Sequence, residues 1–593
     1  MSAQGFQIGV VELCVCIKIT YHKERILVNE RETGEMKRKM KILLTAINAK
    51  YIHSNLAIYD LRAYAGAYKE EIELAEFTIN QRAEYILSEI YKRKPDILCF
   101  SCYIWNISYV RRVAEEFHKI CKEVPIWLGG PEVSYESERF LQDNPFITGI
   151  MRGEGEKIFL NLCRYYHEEA KALEQIPGLV FQKGDEICVN LPETPVDLSD
   201  VPFPYENEDF QNKIVYYESS RGCPFCCSYC LSSVDRKLRF RDMELLKREL
   251  RFFIDRGAPQ VKFVDRTFNC RRDRAMEIWR FIKKHDRGVT NFHFEVAADL
   301  LTDDEVAFLA GLRPGLIQLE IGVQSTNAET IEEIRRTMDL SRVKSVVRKI
   351  KEGRNIHQHL DLIAGLPMED FKSFARSFDE IYEIKPEQLQ LGFLKILKGS
   401  YMYSHASEYG MIYTSHPPYE VLSTRWLCYE EIQRIKLVEE MLEVYYNSGQ
   451  FRRSISVLEE MFDSAFSMFE SLGNYYESRG YLAQKHTRNQ RMEILLDFAG
   501  ETAAGQRERL REAAVYDIYV RENAKSRPAF APKMDGWKDM SRNYCKKGKL
   551  SHLERFFYEE DGQKRDKPYY ILFDYENRDL FLHSAKERRI EEL

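Results

Sequence analysis

Four of the chain's 14 cysteines fall within eight residues, in the stretch RGCPFCCSYC that runs from Arg221 to Cys230. Three of them, Cys223, Cys227 and Cys230, are spaced C-x3-C-x2-C. Such a cluster can form disulfides, hold zinc, hold an iron–sulfur cluster or fill a core. The other cysteines are scattered singly apart from Cys14 and Cys16, with no secreted disulfide framework. Zinc sites pair two short cysteine knuckles, or one knuckle with histidines, and no second knuckle comes after this one. A loop this rich in Gly and Pro also makes a poor core segment. Three thiolates on one loop suit three irons of a 4Fe–4S cluster, because soft sulfur ligands match iron, and the fourth iron is left open. Cys226 stands beside the pattern. Ligation through it would give C-x2-C-x3-C, and we read it as a spectator.

A ligand loop needs a rigid support. From KIVYYESS onward, short apolar strands alternate with amphipathic helices: QVKFVD, NFHFEVA, LIQLEIGVQS, HLDLIAG and LQLGFLKIL, with helical stretches such as RDMELLKRELRFFI between them. Six strands about 25–45 residues apart predict a parallel (β/α)6 partial barrel, whose chemistry lies at the carboxyl ends of the strands. The cysteines come directly after the first strand. Glu295 and Glu320 alternate with apolar neighbours, which turns them toward the lumen or pairs them as buried carboxylates. Upstream, KILLTAI, EIELAEFTI, DILCFSCY, IWLGG and ITGIM also alternate with helices. Continuous apolar strands of this kind predict a doubly wound, Rossmann-like parallel sheet covered on both faces. Its ligand would sit beyond the strand ends, which read NAKYIHSN, SCYIWN, GGPEVS and RGEGE.

The cysteine trio after the first of six strands resembles the radical S-adenosylmethionine superfamily. The resemblance implies that Cys223, Cys227 and Cys230 hold a 4Fe–4S cluster whose open iron chelates S-adenosyl-L-methionine, for cleavage to an adenosyl radical. HLDLIAGLPMED resembles the family's fifth barrel strand, with Gly365 near the adenine. EIGVQS resembles the fourth, with Gln324 and Ser325 facing the cofactor, and Glu295 is a further candidate there. The usual Gly-Gly-Glu after the second strand is missing, and FVDRTFN stands in its place. The upstream domain resembles the cobalamin-binding domain of cobalamin-dependent radical enzymes. That likeness implies Ser101, Gly129, Gly130, Gly153, Glu154 and Gly155 along the corrin or its nucleotide tail. The D-x-H-x-x-G motif that supplies a lower-face histidine is absent. His53 lies in the corresponding loop and is read as a capping or packing residue, with cobalt ligation as the alternative. The likeness spans about residues 40–400, and the region beyond is similar to the C-terminal extension of an uncharacterised subgroup.

The expected division is a leader over 1–39, a cobalamin-binding-like domain over 40–176, a hairpin and proline-rich linker over 177–212, the barrel over 213–404, and a mostly helical region over 405–593 ending in a β-hairpin around Asn577. The leader ends in a charged run and is expected to be poorly ordered, with Met40 as an alternative start. At 593 residues the chain exceeds one core. A net charge of -6 exerts no global pull on nucleic acid, and basic runs such as RKLRFRD and RNYCKKGK read as solvated faces. No run of about 18 apolar residues is present, so no membrane span is expected. The expected setting is the cytoplasm, with an electron donor such as flavodoxin or ferredoxin. The expected function is a cobalamin-dependent radical enzyme that methylates an unactivated carbon of an unknown substrate. Other radical rearrangements, methylthio transfer to RNA and a non-catalytic cobalamin or metabolite sensor are the alternatives.

Overall fold

The computed structural model describes residues 39–591 except 168–171, 210–211, 503, 525, 534–543 and 546–549. The leader and most of RNYCKKGK therefore lie outside the described residues. The first sheet places five parallel strands in the order β2-β1-β3-β4-β5: β1 (Ile42–Asn48), β2 (Ile72–Thr78), β3 (Ile97–Ser101), β4 (Ile126–Gly129) and β5 (Gly149–Met151). Every residue of β1 is buried, as its unbroken apolar run requires when helices cover both faces. Helices Leu56–Tyr64 and Gly155–Tyr166 pack on one core, and Ala83–Arg93 and Ile107–Ile120 on the other. The strand order reverses between β1 and β3, and a ligand crevice belongs above that switch point. The hairpin expected to be part of a connector instead completes this sheet. Its strands β6 (Leu179–Lys183) and β7 (Glu186–Val189) run antiparallel along the edge of β5.

The second sheet is wholly parallel, in the order β15-β14-β13-β12-β11-β8. Its strands are β8 (Ile214–Tyr217), β11 (Gln260–Phe263), β12 (Asn291–Val296), β13 (Ile317–Gln324), β14 (His357–Ala364) and β15 (Gln388–Phe393). A two-residue antiparallel pair, β9 (Ser220–Arg221) and β10 (Arg239–Phe240), brackets the cysteine loop. In β13 burial alternates strictly: each apolar residue is buried against the helices, and the residues between them turn inward. Lys262 pairs in register with His293, Glu295 with Glu320, Glu320 with His359, and Gly322 with Asp361, which gives the lumen a polar lining.

Six strands leave two open edges, and a neighbouring region covers each. The Ile214 N–H of β8 donates to the Ile52 carbonyl in the loop after β1 at 2.7 Å. On β15, the Asn447 side chain accepts from the Leu389 N–H at 3.0 Å and donates to its carbonyl at 2.8 Å, standing in for a strand. Asn447 ends a long helical segment that begins at Tyr429.

Beyond the barrel come the short pair β16 (Ile412–Tyr413) and β17 (Val421–Ser423), then the helices Tyr429–Leu442, Arg452–Glu459, Ala465–Ser478, Arg488–Thr502 and Arg507–Tyr519. The chain closes in an antiparallel sheet of β18 (Ser551–Tyr558), β19 (Lys564–Arg578) and β20 (Ala585–Ile590). The expected two-strand hairpin around Asn577 is thus three strands, and its turn falls later. The Asp579 carboxylate accepts from Phe581 and Leu582 N–H, fixing the turn there, while the Asn577 side chain donates back to Asp574 and lets β19 continue. No helix among the described residues is long and apolar enough to cross a membrane.

Candidate functional site

The cysteine loop begins directly after β9 with Gly222, whose φ of +93° suits glycine. A Cβ there would stand 2.6 Å from the Lys237 carbonyl oxygen, so space forbids a side chain as well. The Cys223 N–H donates to the Asp235 carbonyl at 3.0 Å. Ser228 ties the loop to two other regions, its N–H to the Ile334 carbonyl and its carbonyl to the Met402 N–H, both at 2.9 Å. Cys223 and Cys227 are buried and Cys230 is half-buried. Burial pushes the Cys227 thiol up, and Arg336 opposes this with Nη1 3.7 Å from the sulfur. The Cys226 thiol turns away, toward the Arg335 carbonyl at 3.7 Å.

Asp265, from FVDRTFN, anchors the approach to this loop and was not legible as a site residue. Its fully buried carboxylate accepts from the Ser219 N–H at 3.0 Å, the Ser219 hydroxyl at 2.7 Å, the Ser220 N–H at 2.5 Å and the Ser220 hydroxyl at 2.9 Å. Burial raises its pKa to about 6 against the pull of these donors. Arg221, the next residue, reaches Glu218 at 2.6 Å, Glu156 at 2.8 Å and Glu154 at 3.1 Å. Glu154 also pairs with Arg239 at 2.5 Å and accepts from the Val196 N–H. Two acids at RGEGE therefore clamp the first domain to the start of the cysteine loop.

Above this clamp a cavity of about 760 Å³ opens between the carboxyl ends of both sheets. Ser101, Gly129, Gly130, Gly153, Glu154, Gly155 and Glu295 all line it. Gly153 has φ +93° and open space where a Cβ would lie, a cradle for a large group, whereas a Cβ on Gly130 would meet the Cys102 carbonyl at 2.4 Å. Tyr103 and Trp105 stack at 4.4 Å between ring centroids and form part of the wall. From the sequence SCYIWN reads only as a strand end, and this aromatic pair is not singled out. His53 lines the cavity too, and its Nδ1 shares a hydrogen bond of 2.8 Å with the Tyr216 hydroxyl, a packing contact across the domain junction.

Gln324, Ser325 and Gly365 lie outside the walls of this cavity. Ser325 is buried and donates to Glu369 at 2.6 Å. Gly365, with φ +90°, leaves room for Val421, whose Cγ1 would be 2.6 Å from a Cβ. Gln324 has φ +75° and a buried Oε1 without a partner among the described residues, an acceptor still to be satisfied. In the lumen, burial opposes ionisation of Glu320, yet His293 at 3.0 Å and Lys262 at 2.8 Å hold its carboxyl well below the usual range. Burial and the neighbouring Glu320 raise Glu295 to about 7. Burial, with Glu320 and Glu295 nearby, also raises Asp361 well above the usual range.

Among the described residues no three His, Cys, Asp or Glu side chains converge on a point that a single metal ion could fill. A lone zinc would need each sulfur about 2.3 Å away. Cys223, Cys227 and Cys230 lie on one loop, which suits a cluster in which each thiolate binds a different iron.

Comparison with known proteins gives this geometry a class. Residues 42–163 match the model of the B12 binding domain, 217–381 that of the Radical SAM superfamily, and 407–585 that of a protein family of unknown function, DUF4080. The chain thus carries a B12 binding domain, a Radical SAM domain and a DUF4080 region, in that order. The Radical SAM domain implies a 4Fe–4S cluster and S-adenosyl-L-methionine, and the B12 binding domain implies cobalamin. The cobalamin-dependent radical SAM methyltransferase TokK of Streptomyces tokunonensis is 26% identical over 314 residues, 49% of this chain and 45% of TokK. The anaerobic magnesium-protoporphyrin IX monomethyl ester cyclase of Cereibacter sphaeroides is 23% identical over 51% of this chain and 52% of the cyclase. This chain thus spans about half the length of such curated relatives. The solved structure of OxsB, a cobalamin-dependent S-adenosylmethionine radical enzyme bound to aqua-cobalamin and S-adenosylmethionine, shares the fold with a TM-score of 0.56 at 15% identity, over 81% of this chain and 79% of OxsB.

Proposed function

We propose that this chain is a cobalamin-dependent radical enzyme that transfers a methyl group to an unactivated carbon. The observation that carries the reading is the shared cavity: the strand ends of the cobalamin-binding domain and of the barrel face one space next to the cysteine loop. When bound, the cluster and S-adenosyl-L-methionine supply hydrogen abstraction and cobalamin supplies the methyl group. The chain's own residues do the rest. Cys223, Cys227 and Cys230 hold three irons, Arg336 favours the Cys227 thiolate, and Asp265 fixes the strand end from which the loop departs. Tyr103 and Trp105 offer a flat apolar wall beside the open cradle at Gly153. Gln324 offers a free acceptor to the cofactor, Ser325 positions its segment, and Gly365 lets that segment pack closely. Lys262, Glu320 and His293 pin one another in the lumen, and Glu295 holds or releases a proton near neutral pH. The setting we propose is the cytoplasm, with a one-electron donor such as flavodoxin or ferredoxin. The cyclase relative, similar at nearly the same identity as the methyltransferases, favours a radical outcome other than methylation as the second reading.

Anaerobic reconstitution with iron, sulfide and hydroxocobalamin tests the reading. About four irons per chain, lost in the Cys223→Ala/Cys227→Ala/Cys230→Ala variant, with a corrin absorption band in both proteins, is the expected result. Iron without a corrin band would refute the cobalamin half, and no iron in the parent would refute the radical half.

A further inference from the structure

A second cavity, of about 580 Å³, lies far from the cysteines, where the loop ahead of β14 meets helices Arg452–Glu459 and Arg507–Tyr519 and the terminal sheet. Five arginines line it; Arg453 is held by the Tyr558 carbonyl and Tyr569 hydroxyl and Arg509 by Glu460, which leaves Arg354 before β14, Arg452 at the start of its helix, and Arg521 just past the end of Arg507–Tyr519. Gly449 sits between two of them. From the point a Cβ there would occupy, Arg521 Nη1 is 3.4 Å away, and Nε and Nη2 of Arg452 are 3.8 and 3.9 Å away. Two guanidinium groups thus crowd one small space that a side chain would block.

No ion pair closes on these cations. Neither the Arg354 nor the Arg452 side chain has a hydrogen-bond or ion-pair partner among the described residues, and the Arg521 side chain donates only to the Gly449 carbonyl, at 2.8 Å. Of the acids that line the cavity, Glu560 is exposed and has no partner among the described residues, and the others are engaged. Asp517 accepts from Arg453 N–H at 3.0 Å and from Ser454 N–H and Oγ at 2.8 and 2.7 Å, and Glu512 accepts from Phe557 and Tyr558 N–H. Glu559 pairs with Arg589 at 2.5 Å, and Glu587 accepts from the Tyr516 hydroxyl at 2.7 Å. Asp579 feels the charge of Arg354, but its carboxylate is committed to the Phe581 and Leu582 N–H groups. Burial and the like charges of Arg452 and Arg488 lower the Arg521 pKa from its ordinary value, against the pull of Asp517. Guanidinium groups in a concavity repel one another, and their planar forks match the oxygens of a multiply charged oxyanion.

We propose that this cavity binds the phosphate group of a small ligand, held between Arg354, Arg452 and Arg521. The site is independent of the radical reading, since no residue of the cysteine loop or of the larger cavity takes part.

Calorimetric titration of the full chain with inorganic phosphate and with pyrophosphate, at constant ionic strength, tests it. Saturable binding is expected, weakened about tenfold or more by Arg452→Gln or Arg521→Gln. It should be unchanged in the exposed control Arg507→Gln and in the triple cysteine variant, with thermal unfolding confirming that each variant folds. Heats no greater than those of potassium chloride at matched ionic strength would overturn the proposal. So would binding that survives both arginine substitutions, or citrate binding in place of phosphate.

Discussion

Removing the Asp265 carboxylate separates a role in holding the cysteine loop from a role in general stability. In Asp265→Ala the buried N–H groups of Ser219 and Ser220 lose their acceptor, at about 1–3 kcal/mol each, or about 2–6 kcal/mol at the strand end that leads into the loop. The two hydroxyls can turn to other acceptors and add little. Against this stands the ion itself. Its pKa rises from 3.8 to about 6 in the fold, so keeping it ionised at neutral pH costs about 3 kcal/mol relative to the unfolded chain. The two effects largely cancel in overall stability but not locally, because the unpaired donors all lie beside the ligand loop. Iron content is therefore the discriminating readout, and melting temperature is the control. Asp265→Ala should lose most of its iron after anaerobic reconstitution while melting within a few degrees of the parent. Asp265→Asn, which keeps one oxygen where it can accept from both N–H groups, should retain most of its iron. Full iron in the alanine variant, or equal loss in both, would refute the reasoning.

The remaining expectations concern the same loop and the lumen. Gly222→Ala forces a Cβ to within 2.6 Å of the Lys237 carbonyl at a φ of +93°, a strain of about 1–3 kcal/mol, and iron per chain should fall. Cys226→Ser should keep its full iron and Cys227→Ser should not, which elemental analysis of the two reconstituted proteins decides. Glu295 has a raised pKa in the fold, so the folded state binds its proton more tightly than the unfolded chain does. Its contribution is present below about 4.5 and lost as pH rises through about 7, a swing of about 3 kcal/mol. Glu295→Gln should therefore match the parent at pH 5 and resist urea better than the parent at pH 8, and equal midpoints at pH 8 would count against the burial of that charge.

Periodicity and local density made part of this structure readable from the sequence. The six barrel strands and five doubly wound strands announce themselves because burial on one face or two leaves distinct patterns, alternating in LIQLEIGVQ and continuous in KILLTAI. The cysteine trio is legible because its spacing is local. Asp265 and Arg336 are not, because each is a single charged residue brought to the loop from another strand end or from the segment ahead of helix Leu340–Glu352, and no local pattern marks an acceptor aimed at two distant N–H groups. Glu154 was visible as part of RGEGE, but its commitment to Arg221 and Arg239 depends on how two domains dock. β19 ran past Asn577 because the turn is chosen by the Asp579 carboxylate, five residues before Ser584 closes it, rather than by the residue type that most often marks a turn.

A six-stranded part-barrel cannot satisfy its own edges, and this explains why the flanking regions are built into the site and not merely attached to it. The loop after β1 supplies the missing partner of β8, and that same loop carries His53 to Tyr216 and lines the cavity. On the other side, Asn447 occupies the edge of β15, Val421 fills the space left by Gly365, and the Met402 N–H holds the Ser228 carbonyl within the cysteine loop. The loop that binds the cluster is thus tied to the first domain through Arg221, to the barrel through Asp265 and Ile334, and to the segment entering the C-terminal region through Met402. Edge satisfaction and cofactor placement are met by the same contacts. The C-terminal region, whose family model carries no activity, is on this argument part of the barrel wall, and a change that loosens it should be felt at the cysteines before it is felt at the distant terminal sheet.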